Sequence, residues 1–289
     1  MLADHYRPGR RGLSFELFPP KTTAGEEAMY TSVGELSAFR PDFITCTYGA
    51  GGSTRDKTLE IVTQVKQRFD VPVASHLTCV GSTVEQLSSY LQEAGERGVD
   101  YIVALRGDPP QGETEFKPVA GGLSYANELV ALIRRDFPQF GIAVAGYPEV
   151  HQEATSADDD LAHLGRKVAA GSDAVITQLF YDNADYFRFV ERCRAIGITA
   201  PIVPGILPVT NLAQIQRITK LCKAYLPEQF VAELGRKDDA DWQFQAGVDF
   251  AARQVEELLD HDAPGIHFYV LNKSAATAAV LRAVNWPTA

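Results

Sequence analysis

Leu13-Ser14-Phe15-Glu16-Leu17-Phe18 is the first of eight short apolar runs, and their repetition decides the fold. A segment with apolar residues at helical spacing follows each run. Ser14, Phe43, Pro72 and Tyr101, which lie first or second in the first four runs, are spaced at a constant step of 29 residues, which suits a strand–helix unit. The later runs are Phe43–Tyr48, Val71–Cys79, Tyr101–Leu105, Ile142–Tyr147, Ala174–Tyr181, Ile202–Leu207 and Ile266–Leu271.

Eight unbroken apolar strands alternating with helices, in 289 residues, predict a closed parallel (β/α)8 (TIM) barrel. A doubly wound open sheet is the alternative. The stretch Cys222–Pro264 exceeds one connection, and its apolar spacing predicts an extra helical segment before the last strand. Ser82 with Glu85 predicts a capping box for an earlier helix. Because no Gly-, Ser- or Pro-rich linker divides the chain, we expect residues 1–289 to form a single domain.

Composition narrows the possible partners and the compartment. A formal net charge of −10 argues against nucleic acid, although a local basic pocket could still bind a small anion. The four cysteines are scattered, and we expect them to be reduced, buried and inert. Since the N-terminus lacks a signal-peptide pattern and no run is long enough to span a membrane, we expect a cytoplasmic protein.

Polar residues occur where the predicted strands end, and in a parallel barrel those ends share one mouth. A single one would be unremarkable, so the convergence of the set is what predicts a site. They are Glu16, Thr47, His76, Arg106, Asp108, Tyr147, Glu149, His151, Gln178, Tyr269 and Asn272, and Pro208 stands at the seventh strand end.

Two of these strand ends suggest specific chemistry. Glu16 lies between Phe15 and Leu17, so we expect desolvation to raise its pKa and keep it protonated as a general acid. The alternative is a carboxylate that binds a loop or a lysine.

In Arg106-Gly107-Asp108, the arginine could bind phosphate and the glycine could admit a flat ligand. The alternative is a turn closed by an Arg–Asp pair.

Three further patterns admit two interpretations each. Asp160, His163 and Lys167 share one helix face, which is either a solvated surface or a pocket for a charged cofactor tail. The loop 49–54 weakly imitates a dinucleotide-binding turn and is otherwise a flexible rim loop. Glu149, His151 and Glu153 could bind a divalent metal, which would indicate a lyase or aldolase on the same barrel.

Blocks along nearly the whole chain resemble the methylenetetrahydrofolate reductase family. They are Ser14–Pro20, Thr47–Ala50, His76–Cys79, Ala104–Asp108, Tyr147–His151, Thr177–Gln178, Pro204–Pro208, His267–Tyr269 and Leu271–Asn272. The resemblance implies a bound FAD that takes a hydride from NADH or NADPH and then reduces 5,10-methylenetetrahydrofolate to 5-methyltetrahydrofolate, in ping-pong order. It also implies a supply of methyl groups for methionine synthesis, and a homo-oligomer.

The resemblance also implies residue roles. Glu16 is expected to be the general acid, and Asp108 to stabilise a folate cation. The expected substrate-side residues are Glu16, Asp108, Gln178, Gln214, Tyr269 and Lys273. The residues expected around FAD are Thr47, Tyr48, Ala50, His76, Arg106, Gly107, Asp108, Ala126, Tyr147, His151, Ala154, Asp160, His163, Arg166 and Lys167.

Two positions depart from the better-known bacterial relatives. Lys273 stands where they carry arginine and lacks its bidentate fork, which affects the contact with a folate carboxylate. Ile218 stands where they carry a phenylalanine that contacts the stacked substrate. These changes motivate a third hypothesis, a flavoprotein subunit that no longer oxidises nicotinamide itself.

Overall fold

Short strands and helices alternate along the chain in the computed structural model, which describes residues 1–47, 55–109, 112 and 116–288. The strands are β1 (Gly12–Leu17), β2 (Phe43–Cys46), β3 (Val73–Thr78), β4 (Tyr101–Leu105), β5 (Gly141–Gly146), β6 (Ala174–Thr177), β7 (Ile202–Val203), β8 (Gly205–Ile206) and β9 (Gly265–Tyr269). The helices are α1 (Thr23–Ser37), α2 (Arg55–Phe69), α3 (Val84–Glu96), α4 (Ala126–Asp136), α5 (Ala157–Ala169), α6 (Asn183–Ala195), α7 (Leu212–Cys222), α8 (Glu228–Leu234), α9 (Ala240–Asp260) and α10 (Ala275–Ala283), and a 3-10 helix at Leu2–Tyr6 precedes β1.

The described strands form one parallel sheet that closes on itself. Their order is β7-β6-β5-β4-β3-β2-β1-β9-β8. The two ends of this order, β7 and β8, are halves of the seventh predicted run and are separated only by Pro204, which has no N–H to give to a ladder. Since β7 pairs with β6 and β8 pairs with β9, eight strand positions complete a barrel. The closed barrel is confirmed and the open-sheet alternative is wrong.

The step of 29 residues matches the pairing register of the first three strands. Ser14 pairs with Phe43, and Ile44 pairs with Val73, so both pairs are one step apart. The fourth strand breaks the step, because Ala74 rather than Pro72 pairs with Tyr101.

Alternation of side chains along the strands separates two cores. One set, such as Phe15 and Ile102, packs against the surrounding helices. The opposite set points into the barrel, where Phe43 and Val103 pack on Leu2 of the 3-10 helix. This helix closes the amino end of the barrel with apolar side chains, which leaves the carboxyl ends of the strands for polar groups.

The segment before the last strand contains two helices, α8 and α9, so the predicted extra helical segment is confirmed. The predicted capping box is wrong by one residue, because Thr83 rather than Ser82 caps α3 and Gln86 completes the box. Among the helices of the described residues, none combines the length and the apolar character needed to cross a membrane.

Candidate active site

A cavity of about 940 Å³ opens at the carboxyl ends of strands β2 to β6, where the barrel fold predicts a site. Thr47, His76, Arg106, Tyr147 and Gln178 reach it from five consecutive strand ends. The first turn of α4 and one face of α5 complete its wall. The volume lies at the upper end of the range for cofactor sites, so the cavity has room for a large ligand.

The structure brings together the described residues that the resemblance assigns to a flavin. Those that line the cavity are Thr47, His76, Arg106, Gly107, Asp108, Ala126, Tyr147, His151, Ala154, Asp160, His163, Arg166 and Lys167. Tyr48, Ala50 and the rest of the loop 49–54 lie outside the described residues.

Glu16 does not line the cavity, but it contacts His76, which does. Its Oε2 is 3.3 Å from Nε2 of His76, which does line the cavity, and 3.4 Å from Nε2 of His267. The geometry at His76 is that of an ion pair rather than of a hydrogen bond, whereas His267 has hydrogen-bond geometry. The Glu16 side chain is 10% exposed, so this cluster is almost wholly removed from water.

The two imidazoles reverse the expected pKa of Glu16. Burial raises that pKa, but the charge of His76 and the hydrogen bond from His267 outweigh burial and lower it to about 2. The prediction that desolvation keeps Glu16 protonated is therefore wrong. Phe15 and Leu17, on which the prediction rested, belong to the outer core, while the imidazoles come from β3 and β9.

Arg106 is held by Glu153 rather than by Asp108. Its two terminal nitrogens donate to the Glu153 carboxylate at 2.6 and 2.8 Å, and this pairing raises the pKa of the arginine. Asp108 is exposed and lines the cavity. Gly107 has a φ of +90°, and a Cβ there would lie 2.7 Å from a methyl of Val80, so both the backbone conformation and the packing require glycine.

One wall of the cavity is cationic. Lys167 donates from Nζ to the Ala145 carbonyl at 2.5 Å, and burial lowers its pKa to about 8. His163, one turn earlier on the same helix face, and Arg166, the residue directly before Lys167, are exposed and also line the cavity. Asp160 fixes the adjoining loop by accepting a hydrogen bond from the His151 backbone at 3.0 Å. The helix face is thus part of a pocket, and its positive side suits an anionic ligand.

The residues expected to contact the substrate are more widely spread than those expected to contact FAD. Gln178 lines the cavity, and its Oε1 accepts a hydrogen bond from the Leu179 backbone at 2.8 Å. Tyr269 turns its hydroxyl to the Thr177 carbonyl at 2.7 Å. Gln214 borders a separate small cleft beside Ile218, and Lys273 is exposed after β9.

The residues considered for a divalent metal have different partners. Glu149 accepts a hydrogen bond from the Tyr225 backbone at 2.6 Å, while Glu153 pairs with Arg106. His151 uses Nδ1 to accept a hydrogen bond from the Glu153 backbone. Within the described part of the chain, no three His, Cys, Asp or Glu side chains are grouped so that they could hold a metal ion.

Several cavity residues are absent from the sequence prediction, and four of them differ in the signal that could have revealed them. Tyr125 and Asn127 flank Ala126 at the start of α4, so their position beside a predicted cofactor residue could have revealed them. Leu221 and Cys222 come from the far end of α7, where no motif marks them. The expectation that every cysteine is buried is wrong for Cys222, although all four are free thiols.

The fold and the cavity define a class, the barrel enzymes that hold a large ligand at the carboxyl ends of their strands. Within that class, the chain belongs to the methylenetetrahydrofolate reductase family, since the family model described as "Methylenetetrahydrofolate reductase" matches residues 1–285. The resemblance seen in the sequence blocks is confirmed.

Curated relatives agree with this assignment, and a solved structure shares the fold. The chain is 39% identical over 274 residues to "5,10-methylenetetrahydrofolate reductase" of Escherichia coli K12, covering 94% of this chain and 90% of that one. It is 39% identical over 284 residues to "Methylenetetrahydrofolate reductase (NADH) 1" of Arabidopsis thaliana, where it spans only 48% of the relative. The fold matches, at a TM-score of 0.66, 13% identity and 98% coverage of both chains, a Clostridium thermocellum protein described as binding two copies of 5-methyl-5,6,7,8-tetrahydrofolic acid.

Proposed function

We propose that the protein uses FAD and a reduced nicotinamide to reduce 5,10-methylenetetrahydrofolate to 5-methyltetrahydrofolate. The observation that carries the proposal is the cavity of about 940 Å³, which gathers the described flavin-assigned side chains above Glu16. The names of the relatives supply the folate reaction, and the chain covers 90% of the Escherichia coli enzyme. The product would supply methyl groups for methionine synthesis.

The donor set of the cavity fits FAD. His163, Arg166 and Lys167 would face its pyrophosphate, because three basic side chains on one wall match a doubly charged group. Thr47, His76 and Gly107 would lie nearer the ring system. When bound, FAD would supply the hydride chemistry, accepting a hydride from the nicotinamide and giving one to the folate in separate steps. We propose NADH as the donor because the plant relatives carry it in their names.

Opening the methylene bridge of the folate requires a proton on the departing amine nitrogen. We propose that Glu16 delivers it. Since the carboxyl of Glu16 is ionised, it must first take up a proton, and we propose His76 as the source, because its Nε2 lies 3.3 Å from Oε2 of Glu16 at the cavity wall. The negative charge of Asp108 would stabilise the cation left on the folate.

On the substrate side, Gln178 is available to the pterin because it already lines the cavity. Gln214, Tyr269 and Lys273 remain proposed substrate contacts. Tyr269 would have to release the Thr177 carbonyl, and Gln214 would have to extend from its separate cleft. Lys273 is exposed and would meet a folate carboxylate from the surface. Ile218 offers no aromatic face, so we expect weaker stacking there.

We further propose that residues 1–289 act as one domain in the cytoplasm and form a homo-oligomer. The free cysteines suit a reducing compartment.

The competing proposal is a flavoprotein subunit that cannot oxidise nicotinamide. The two differ in one measurement, the absorbance spectrum of the purified protein with FAD. We expect the flavin band to bleach with NADH and to return with methylenetetrahydrofolate. Failure to bleach would favour the subunit, and failure to take up FAD would refute both.

A further inference from the structure

His267 is a fully buried histidine behind the proposed proton donor, and both of its ring nitrogens have a partner inside the barrel. Its Nδ1 lies 2.7 Å from the Ser14 hydroxyl, and its Nε2 lies 3.4 Å from Glu16 Oε2. Ser14 and His267 are register partners across β1 and β9, so the backbone itself sets the contact. Because a buried imidazole is costly unless its nitrogens are satisfied, the three side chains form one hydrogen-bonded unit.

The Ser14 hydroxyl can donate to Nδ1 of His267 or accept from it, whereas the ionised Glu16 carboxylate can only accept and so favours a proton on Nε2. A hydroxyl that donates to Nδ1 leaves the neutral ring with its proton on Nε2. In this unit, Nε2 is the nitrogen that faces the Glu16 carboxylate. With the Ser14 hydroxyl donating to Nδ1, the N–H group of His267 faces Glu16 from β9, on the other side of β1 from His76 in β3.

Aromatic neighbours fix the plane of the imidazole. The ring of Phe43 stacks on it at 25° between planes, with centroids 6.5 Å apart. Tyr269 meets it edge-on at 90° and 5.3 Å, and the tyrosine is held in turn by its hydrogen bond to Thr177. The ring of His267 consequently has one orientation, and it transmits that orientation to Glu16.

We propose that His267 is a positioning residue for Glu16, an inference that rests on the proposed role of Glu16 as proton donor. His76 and His267 both contact Oε2, so Oε1 is the oxygen left for the reactant. His267 has no exposed surface and acts only through Glu16. Losing it would free the carboxylate to rotate away from the bound folate while leaving the flavin wall of the cavity unchanged.

The test separates the two half-reactions in the FAD-loaded protein by stopped-flow absorbance. His267→Leu should slow flavin reoxidation by methylenetetrahydrofolate at least tenfold and leave flavin reduction by NADH within twofold of wild type. His267→Gln should restore most of the reoxidation rate, because its amide can donate to Glu16. Ser14→Ala should give an intermediate loss. The matched control is His5→Leu, which removes a histidine bonded to Tyr101 and Asp42 at the opposite end of the barrel and should change neither rate.

Two results would overturn this inference. One is reoxidation at the wild-type rate in His267→Leu, and the other is a loss in His267→Gln as large as in the leucine variant, which would indicate packing alone. If the leucine variant does not fold, an unchanged reoxidation rate in Ser14→Ala overturns it equally. A wild-type protein that is not reoxidised by the folate would instead refute the proposed function.

Discussion

The guanidinium of Arg106 and the carboxylate of Glu153 form a two-point ion pair inside the candidate cofactor cavity, with hydrogen bonds of 2.6 and 2.8 Å. The carboxylate occupies the fork that an anionic ligand would use. Ligand binding and this internal pair therefore compete for the same donors.

Replacing Glu153 with glutamine should strengthen FAD binding. The variant removes a negative charge from the cavity and releases part of the Arg106 fork, so we expect the Kd to fall about threefold to tenfold, on the order of 1 kcal/mol. Flavin fluorescence titration measures it. The control is Glu93→Gln, which breaks a similar Arg–Glu pair with Arg97 on α3, away from the cavity. Weaker binding by Glu153→Gln would mean that the carboxylate orients Arg106 for the ligand.

Lys167→Met should stabilise the ligand-free protein while weakening its binding of FAD. Burial lowers the pKa of Lys167 from 10.5 to about 8, so the folded state resists the charge. The resulting penalty is complete below pH 8 and disappears as the pH rises toward 10.5. Urea unfolding at pH 7 should favour the variant by on the order of 2 kcal/mol, and the gap should narrow by pH 9.5. A gap that does not change with pH would contradict the burial of a charged lysine.

Glu149 should make stability fall as the pH rises through neutrality. Burial, together with the charges of Asp185 and Asp182, raises the pKa of Glu149 from 4.5 to about 7. Between those values the folded state binds the extra proton, so the stability is lost as the carboxyl ionises. With allowance for solvent screening at a half-buried group, Glu149→Gln should exceed wild type by about 1 kcal/mol at pH 8. Thermal unfolding should show that difference shrinking by pH 5.5, and a constant difference would count against this account.

The amino-end plug of the barrel can be tested with a matched pair of leucines. Leu2 is fully buried against the barrel interior, whereas Leu221 is 73% exposed. Leu2→Ala should lower the free energy of unfolding by about 2–5 kcal/mol, since the cavity left in a closed barrel cannot collapse. Leu221→Ala should change it by less than about 0.5 kcal/mol. Similar losses in chemical denaturation would show that the plug does not contribute to the core.

Local sequence patterns were sufficient to predict the strands and the residues that line the mouth of the barrel. The apolar run Tyr101–Leu105 is strand β4 without a shift, because burial on both faces leaves a continuous apolar signal. Strand-end residues such as Thr47 and His76 converge for the same topological reason. The break of the seventh strand at Pro204 could have been foreseen from the missing N–H of proline.

Side-chain contacts between residues far apart in the sequence could not be predicted from local sequence patterns. The imidazoles that lower the pKa of Glu16 are brought by pairing of β1 with β9 and β2 with β3, and nothing near residue 16 indicates them. The partner of Arg106 is likewise 47 residues away in the sequence. Cys222 reaches the cavity through the packing of α7, which spacing alone does not specify.

The most direct test of the central claim is the reoxidation of reduced flavin by methylenetetrahydrofolate in Glu16→Gln. Glutamine keeps the shape of the side chain and cannot deliver a proton, so we expect flavin reduction by NADH at the wild-type rate and reoxidation slowed by about 100-fold or more. Reoxidation of Glu16→Gln at the wild-type rate would contradict the account.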